Sequence, residues 1–257
     1  MSASATPAPK EKADDSSPDQ PSSGDLQNAV IRFAGNSQDG IQTIGAFLAK
    51  LAGRSAREVM TYMTIPSTIS GGPSIFQVHL GSGEVLSPGD EADFLVAFYQ
   101  HSYDNHIGSL REGGVAIIDK DNVEPDPERH NVQHVPIPIT STTVEALGGS
   151  TRERGKNLFV LGLITQLFKL DHDKLVALIE RQFGRKGEEV LRNASIAFDA
   201  GYAYQIGQDV IRQSYSLRAG EAQDTHRITT DGNTALTLGL LAGGIRHGAG
   251  YPITPWS

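Results

Sequence analysis

The chain has 257 residues and 38% hydrophobic content, enough for one large domain or one domain plus a piece of another. A net charge of −8 leaves no basic stripe to displace counterions from nucleic acid, and the longest apolar run, Leu158 to Phe168, is far short of the ~20 residues that cross a bilayer. Cysteine is absent, so disulfides, thiolate zinc sites and iron–sulfur ligands cannot come from this chain.

Residues 1–25 are rich in Ser, Pro, Ala, Asp and Lys without apolar periodicity. They cannot offset their own ordering entropy and are expected to be disordered. From Asn28 the pattern becomes α/β. Ala29–Phe33 is a short apolar run suited to a buried strand, and residues 35–40 form a turn. Ile41, Ile44, Phe47, Leu48 and Leu51 then recur at helical spacing until Gly53. Glu58–Ile65 predicts a strand and Ser67–Ser74 a loop. Phe76, Val78 and Leu80 alternate with Ile75, Gln77 and His79, the period of a half-buried strand. Phe94–Phe98 and Val115–Ile118 suit a central parallel sheet covered on both faces, with a short helix between them over 104–111. Val135–Ile139 is interrupted by prolines and belongs at an edge or in a loop.

After Thr140 the chain becomes helical. Asn157–Leu170 is apolar around most of its circumference and predicts a buried helix. Asp171 is placed to cap the next helix, whose apolar face carries Leu175, Leu178, Ile179 and Phe183. A third helix over Glu188–Ser214 is expected to break near Gly201 or Gly207. The eight histidines include two close pairs, His101/His106 and His130/His134, with no metal-binding frame around them, and are read as loop or surface residues.

Three turns could carry chemistry. The first, Gly35-Asn-Ser-Gln-Asp-Gly40, lies between a strand and a helix, where free backbone N–H groups favour an anion. It departs from the dinucleotide fingerprint, since Ser37 stands where the middle glycine would be. No acidic residue closes the second strand either, where Tyr62–Ile65 stands, so a nicotinamide-dependent dehydrogenase is disfavoured. The second is Ser70-Gly-Gly-Pro-Ser74, where Gly71 and Gly72 permit close backbone approach of a ligand or another chain. The third is Tyr251-Pro-Ile-Thr-Pro255, where two prolines hold the Thr254 hydroxyl in a fixed direction. It follows a small-residue helix with Ala235, Gly239 and Gly243 on one face. For each turn the plain alternative is a structural connection.

In this order the turns resemble the alpha subunits of the 2-oxoacid:ferredoxin oxidoreductases, 2-oxoglutarate type. There a gamma-type domain, with a glycine-rich strand-to-helix turn and a later Gly-Gly-x-Ser loop, precedes a thiamine-type domain that opens with Gly-Asn, a small-residue helix and Tyr-Pro-Ile-Thr-Pro. Two positions depart from that pattern. Gln38 stands in place of a usual glycine, which matters if the position needs a positive φ, and Ile69-Ser70 stands where relatives often carry Arg. The resemblance implies a Rossmann-like three-layer α/β domain over 26–229 and the start of an incomplete pyrimidine-binding domain over 230–257, the chain ending a few steps into it. It implies oxidative decarboxylation of a 2-oxoacid with coenzyme A (CoA) to acyl-CoA, CO2 and reduced ferredoxin. Thiamine diphosphate, Mg2+ and a [4Fe-4S] cluster would be held mainly by a beta subunit, in a cytoplasmic hetero-oligomer. It assigns Thr254, with Tyr251, to the substrate, and Gly35, Ser37, Asp39, Gly40, Gly71, Gly72 and Ser74 to loops that meet CoA, an anion or another subunit. The competing expectation is a non-catalytic CoA-contacting or assembly domain, inactive alone.

Overall fold

The computed structural model describes residues 25–64, 66, 71–149, 155–207, 215–217, 220 and 228–250. A two-residue strand, β1 (Asp25–Leu26), opens them, so the tail predicted to end at 25 gives way to pairing one residue sooner; its earlier part lies outside the described residues. The first long strand, β2 (Asn28–Asn36), extends past the apolar run on both sides. A single 3-10 turn leads into α1 (Ile41–Gly53), whose apolar stripe Ile41, Ile44, Phe47, Leu48 and Leu51 is buried as its spacing predicts.

Strands β3 (Glu58–Met63) and β4 (Pro73–Gly81) form an antiparallel pair, and β4 returns antiparallel to β2. Strand β5 (Ala92–Ala97) is buried along its whole length, as expected for a central strand. Helix α2 spans Gln100–His106, four residues ahead of the predicted 104–111, and a 3-10 turn and a strand occupy the rest of that range. The polar string Gln100 to His106 conceals a one-sided anchor. Tyr103 and Ile107, four apart, are the residues that pack into the core. Strands β6 (Leu110–Asp119) and β7 (Gln133–Ile137) complete a six-stranded sheet in the order β3-β4-β2-β5-β6-β7. Pro136 sits in the edge strand β7, where the missing N–H breaks no ladder on the open side.

Strands β2, β5, β6 and β7 are mutually parallel, and β4 alone runs against them and against β3. The core lies on both faces of this sheet. One cluster joins Ile31, Phe33, Phe94 and Val96 to α1 and the C-terminal helices, and the other joins Val30, Ala34, Leu95 and Ala97 to Tyr103 of α2 and Ile107 just after it. Since alternate residues of a strand face opposite ways, α1 and α2 cover opposite faces.

The remaining helices are α3 (Ile139–Ala146), α4 (Lys156–Leu167), α5 (His172–Phe183) and α6 (Glu188–Ala203). Asp171 caps α5, accepting from the Lys174 amide at 3.0 Å. α6 ends at Ala203, between Gly201 and Gly207 as expected, and Gly201 itself lies inside its last turn for a packing reason. A Cβ there would lie 1.9 Å from the Phe159 carbonyl oxygen, and one at Gly162 would lie 2.1 Å from that of Phe198, so α4 and α6 meet backbone to backbone. After Ala203 the helix ends, and part of the predicted continuation, 208–214, lies outside the described residues. A short strand, β8 (Ser216–Leu217), pairs parallel with β1, a contact the sequence did not announce. Last comes α7 (Gly232–Ala242), capped by Asp231. No residue of α7 is buried. Among the described residues no helix is long and apolar enough to cross a membrane.

Candidate functional site

After β2 the chain crosses one face of the sheet through α1 toward β3. After β5 it crosses the other face through α2 toward β6. The carboxyl ends of β2 and β5 are therefore the point where the winding reverses, and open α/β sheets receive ligands in the crevice there. Turn 35–40 leaves β2 at this point, and Phe98 and Tyr99 leave β5 beside it, with the Phe98 amide bonded to the Ala34 carbonyl at 3.1 Å.

The local backbone explains the glycines. Gly40 has φ 74°, a conformation that costs an L-residue ~1–2 kcal/mol, and a Cβ there would lie 2.4 Å from Asn157 Nδ2 at the start of α4. Gly35 is buried between Ile41 and Phe98, 2.9 and 3.1 Å from a hypothetical Cβ. Gln38 does not have a positive φ, so replacing the family's usual glycine with Gln38 brings no backbone strain. Its side chain instead reaches loop 71–74, its Oε1 lying 2.5 Å from where a Cβ of Gly71 would be. Gly71 itself has φ 82°.

Turn and loop are bonded directly. The Ser37 amide donates to the Gly72 carbonyl at 3.0 Å, and Gly35 stands opposite Ser74 in the β2–β4 ladder. The two therefore neighbour one another at one end of the sheet. Turn 35–40 lies at the carboxyl end of β2, whereas loop 71–74 lies at the amino end of β4, because β4 is antiparallel. Ser74 is buried, and its hydroxyl donates to the Thr64 carbonyl at 2.8 Å while Thr64 Oγ1 accepts from the Ile75 amide. It fastens the β3–β4 hairpin. Ile65 and residues 67–70, including Ser70, and residues 251–257, including Tyr251 and Thr254, lie outside the described residues.

At the crevice Asp39, already named among the loop residues, is joined to two residues that had no signature in the sequence, Tyr99 and Lys156. Asp39 Oδ2 accepts from the Asn36 amide at 2.9 Å, and its Oδ1 accepts from the Tyr99 hydroxyl at 3.0 Å. Tyr99 in turn accepts from Lys156 Nζ at 3.1 Å, and that ammonium lies 4.7 Å from the Tyr99 ring centroid. Lys156 is only 2% exposed. Burial raises the Tyr99 pKa above its ordinary value, with Lys156 acting against the shift. The phenol thus stays protonated at neutral pH and keeps its donor role toward Asp39. A polar Tyr at a strand end and a Lys before an apolar helix are unremarkable in sequence, and only the crossing of three elements joins them. A buried carboxylate nearer the sheet edge, Asp119, is spent on Thr140, Asn122 and backbone amides and serves the β6–α3 connection.

Residues 30–204, built around this sheet and crevice, match the pyruvate ferredoxin/flavodoxin oxidoreductase family. The chain belongs to that family. It is 30% identical to the 2-oxoglutarate oxidoreductase subunit KorA of Mycobacterium tuberculosis, over 90% of this chain and 40% of that protein. It is 28% identical to the ketoisovalerate oxidoreductase subunit VorA of Methanothermobacter marburgensis, over 60% of this chain and 31% of the relative. Among solved structures, 2-oxoglutarate:ferredoxin oxidoreductase from Magnetococcus marinus, with 2-oxoglutarate, coenzyme A and succinyl-CoA bound, superposes with a TM-score of 0.76 at 30% identity, over 90% of this chain and 40% of that one. A keto/oxoacid ferredoxin oxidoreductase gamma subunit from Geobacter sulfurreducens shares the fold, with a TM-score of 0.55 and 24% identity over 69% of this chain and 98% of its own. The family's Rossmann-like α/β domain is thus the fold of this chain. The chain spans about 40% of the length of KorA and of the Magnetococcus enzyme chain.

Proposed function

We propose that this chain works as part of the alpha subunit of a 2-oxoacid:ferredoxin oxidoreductase of the 2-oxoglutarate type. The reaction converts a 2-oxoacid and CoA to an acyl-CoA and CO2 and passes two electrons to ferredoxin. The observation that carries this reading is the 30% identity over 90% of the chain to an enzyme whose structure holds 2-oxoglutarate, CoA and succinyl-CoA. A likeness confined to the sheet would support only the fold.

Residues 26–229 form the gamma-type domain in this reading, and 230–257 open the thiamine-type domain. Exposure of every described residue from Ile228 through Gly250 supports a boundary there. CoA lies along the switch-point crevice, against turn 35–40 and loop 71–72. Ser37 and Gln38 face it, the glycines allow its approach, and Asp39 and Ser74 hold the two loops in shape. Thr254, with Tyr251, orients the 2-oxoacid through its hydroxyl. The residues present do not fit the electron carrier. An iron–sulfur cluster needs thiolates, and this chain has no cysteine. Among the described residues no group of His, Asp and Glu could hold a metal ion either. We assign the [4Fe-4S] cluster, thiamine diphosphate and Mg2+ to a beta subunit of a cytoplasmic hetero-oligomer. The chain by itself then contributes CoA contact and assembly, without turnover.

The test is to purify the native complex through a tag on this chain. It should reduce ferredoxin with 2-oxoglutarate only when CoA is added, and more slowly with pyruvate or 2-oxoisovalerate. Recovery of the chain without an iron–sulfur partner, or of a complex with no CoA-dependent reduction, would overturn the assignment.

A further inference from the structure

The least expected side chain in the helical layer is Lys156. It is 2% exposed, in the first turn of α4, where the helix dipole opposes a cation. The rest of that helix, Leu158 through Ile164, is buried and apolar, so packing alone would place an aliphatic residue here. Burying a charge is costly unless it is paired and hydrogen-bonded, and among its contacts Lys156 meets Tyr99 both at the oxygen, 3.1 Å away, and over the ring. Tyr99 passes the connection to Asp39, and Asp39 closes it on the Asn36 amide. Every bond has a definite direction. The ammonium donates to the phenol oxygen, the phenol hydrogen goes to the carboxylate, and the backbone N–H goes to the second carboxylate oxygen.

We infer that Lys156 and Tyr99 are positioning residues for the crevice: through Asp39 they fix the conformation of turn 36–40 and thereby set its affinity for the anionic part of CoA. This rests on the proposed CoA reading for the identity of the ligand, and on the geometry alone for the control of the turn. Three elements that share no sequence neighbourhood, the turn after β2, the end of β5 and the start of α4, are joined by it. The same turn is held from the other side by Ser37 to Gly72, and Gly40 is pressed against Asn157 beside Lys156. The turn is therefore clamped between the loop before β4 and the head of α4. Removing the Tyr99 hydroxyl releases one jaw and leaves the fold's apolar contacts intact.

The experiment compares the native complex carrying Tyr99→Phe, Lys156→Met or both. The KM for CoA is expected to rise roughly tenfold in each, the scale of one charge-assisted hydrogen bond. The KM for the 2-oxoacid should stay within about twofold, and the double variant should be no worse than the worse single one, since both residues act through one connection. Loss of general stability would instead disturb both constants together. Amide exchange at Ser37 should accelerate in both variants without any ligand. An unchanged KM for CoA in an enzyme that uses CoA overturns the inference. If the wild-type complex ignores CoA, the functional reading falls. The Ser37 exchange rate then decides the positioning role by itself, and a rate equal to wild type rejects it. Should Lys156→Met fail to fold, Tyr99→Phe, which loses one oxygen atom, carries the same tests.

Discussion

Helices α4 and α7 are alike in sequence and opposite in situation. Both are apolar around most of their circumference, and both have a glycine near the middle, Gly162 and Gly239. In α4 the glycine is a groove already filled, with the α6 backbone where a side chain would be. In α7 nothing among the described residues lies within 4 Å of the corresponding position, and Leu236 is 63% exposed. Apolar character all round marks a helix that needs cover on every side. It does not say whether this chain supplies the cover. For α4 the cover is α6, and among the described residues α7 has no such partner.

The strongest way to break this comparison is to fill both grooves. Gly201→Leu would force a side chain into the Phe159 carbonyl and should cost upward of about 3 kcal/mol, enough to prevent folding. Gly239→Leu should leave the melting temperature unchanged. If both variants melted like the parent, the backbone contact between α4 and α6 would be wrong. A gentler version removes methyl groups. Leu161→Ala should destabilise by about 2–5 kcal/mol in denaturant unfolding. Leu241→Ala should stay within about 0.5 kcal/mol and lower the binding of a hydrophobic dye, which the exposed leucines of α7 should otherwise attract. A protected α7 without dye binding would show that it is covered after all.

Thr254, a dozen residues past α7, extends the comparison to activity. In the assembled enzyme Thr254→Val should lower kcat/KM for the 2-oxoacid roughly ten- to a hundredfold, as expected for a lost hydrogen bond to a charged group, and leave CoA affinity alone. Parent-like kinetics would reduce the proline-bounded turn to a structural one. The smallest effect separates the two caps. Asp171→Ala on α5 should cost about 1 kcal/mol of global stability. Asp231→Ala should loosen only α7, visible in local amide exchange. The Lys174 amide and side chain depress the Asp171 pKa below the ordinary carboxylate range. Its contribution is thus complete above the unfolded value and disappears as pH falls through the depressed one, so the Asp171→Ala difference should shrink in acid.

Much of this fold was legible because single faces announce themselves. The stripe from Ile41 to Leu51 and the all-apolar Phe94–Phe98 report their surroundings through spacing, whereas the alternation Phe76-Val78-Leu80 located β4 but predicted it half-buried, and Ile75 and Gln77 on its other face are buried too. Proline confined β7 to an edge, and the two glycine turns were found in their proper order. The misses share another cause. Helix α2 is held by only Tyr103 and Ile107 within a polar string. The end of α6 near Gly201 was legible, but not the close packing of that glycine, because its neighbour, Phe159, is 42 positions away. Asp39 was marked as a loop residue, but its partners Tyr99 and Lys156 come from two other elements, and no local pattern encodes such a crossing.

The lone antiparallel strand has a consequence for the order of folding. Hairpin β3–β4 with α1 closes onto β2 by short loops, so this half of the sheet can assemble without β5. The β2–β5 pairing spans 63 residues at Ile31–Phe94, against 37 at the Asn36–Pro73 end of the β2–β4 pairing, and longer closures are reached later. The crevice has one wall in each half, so it is completed last. Pulse-labelled exchange should see the amide of Ser37, tied to Gly72, gain protection before that of Phe98, tied to Ala34. The reverse order would place the nucleus on the parallel strands instead.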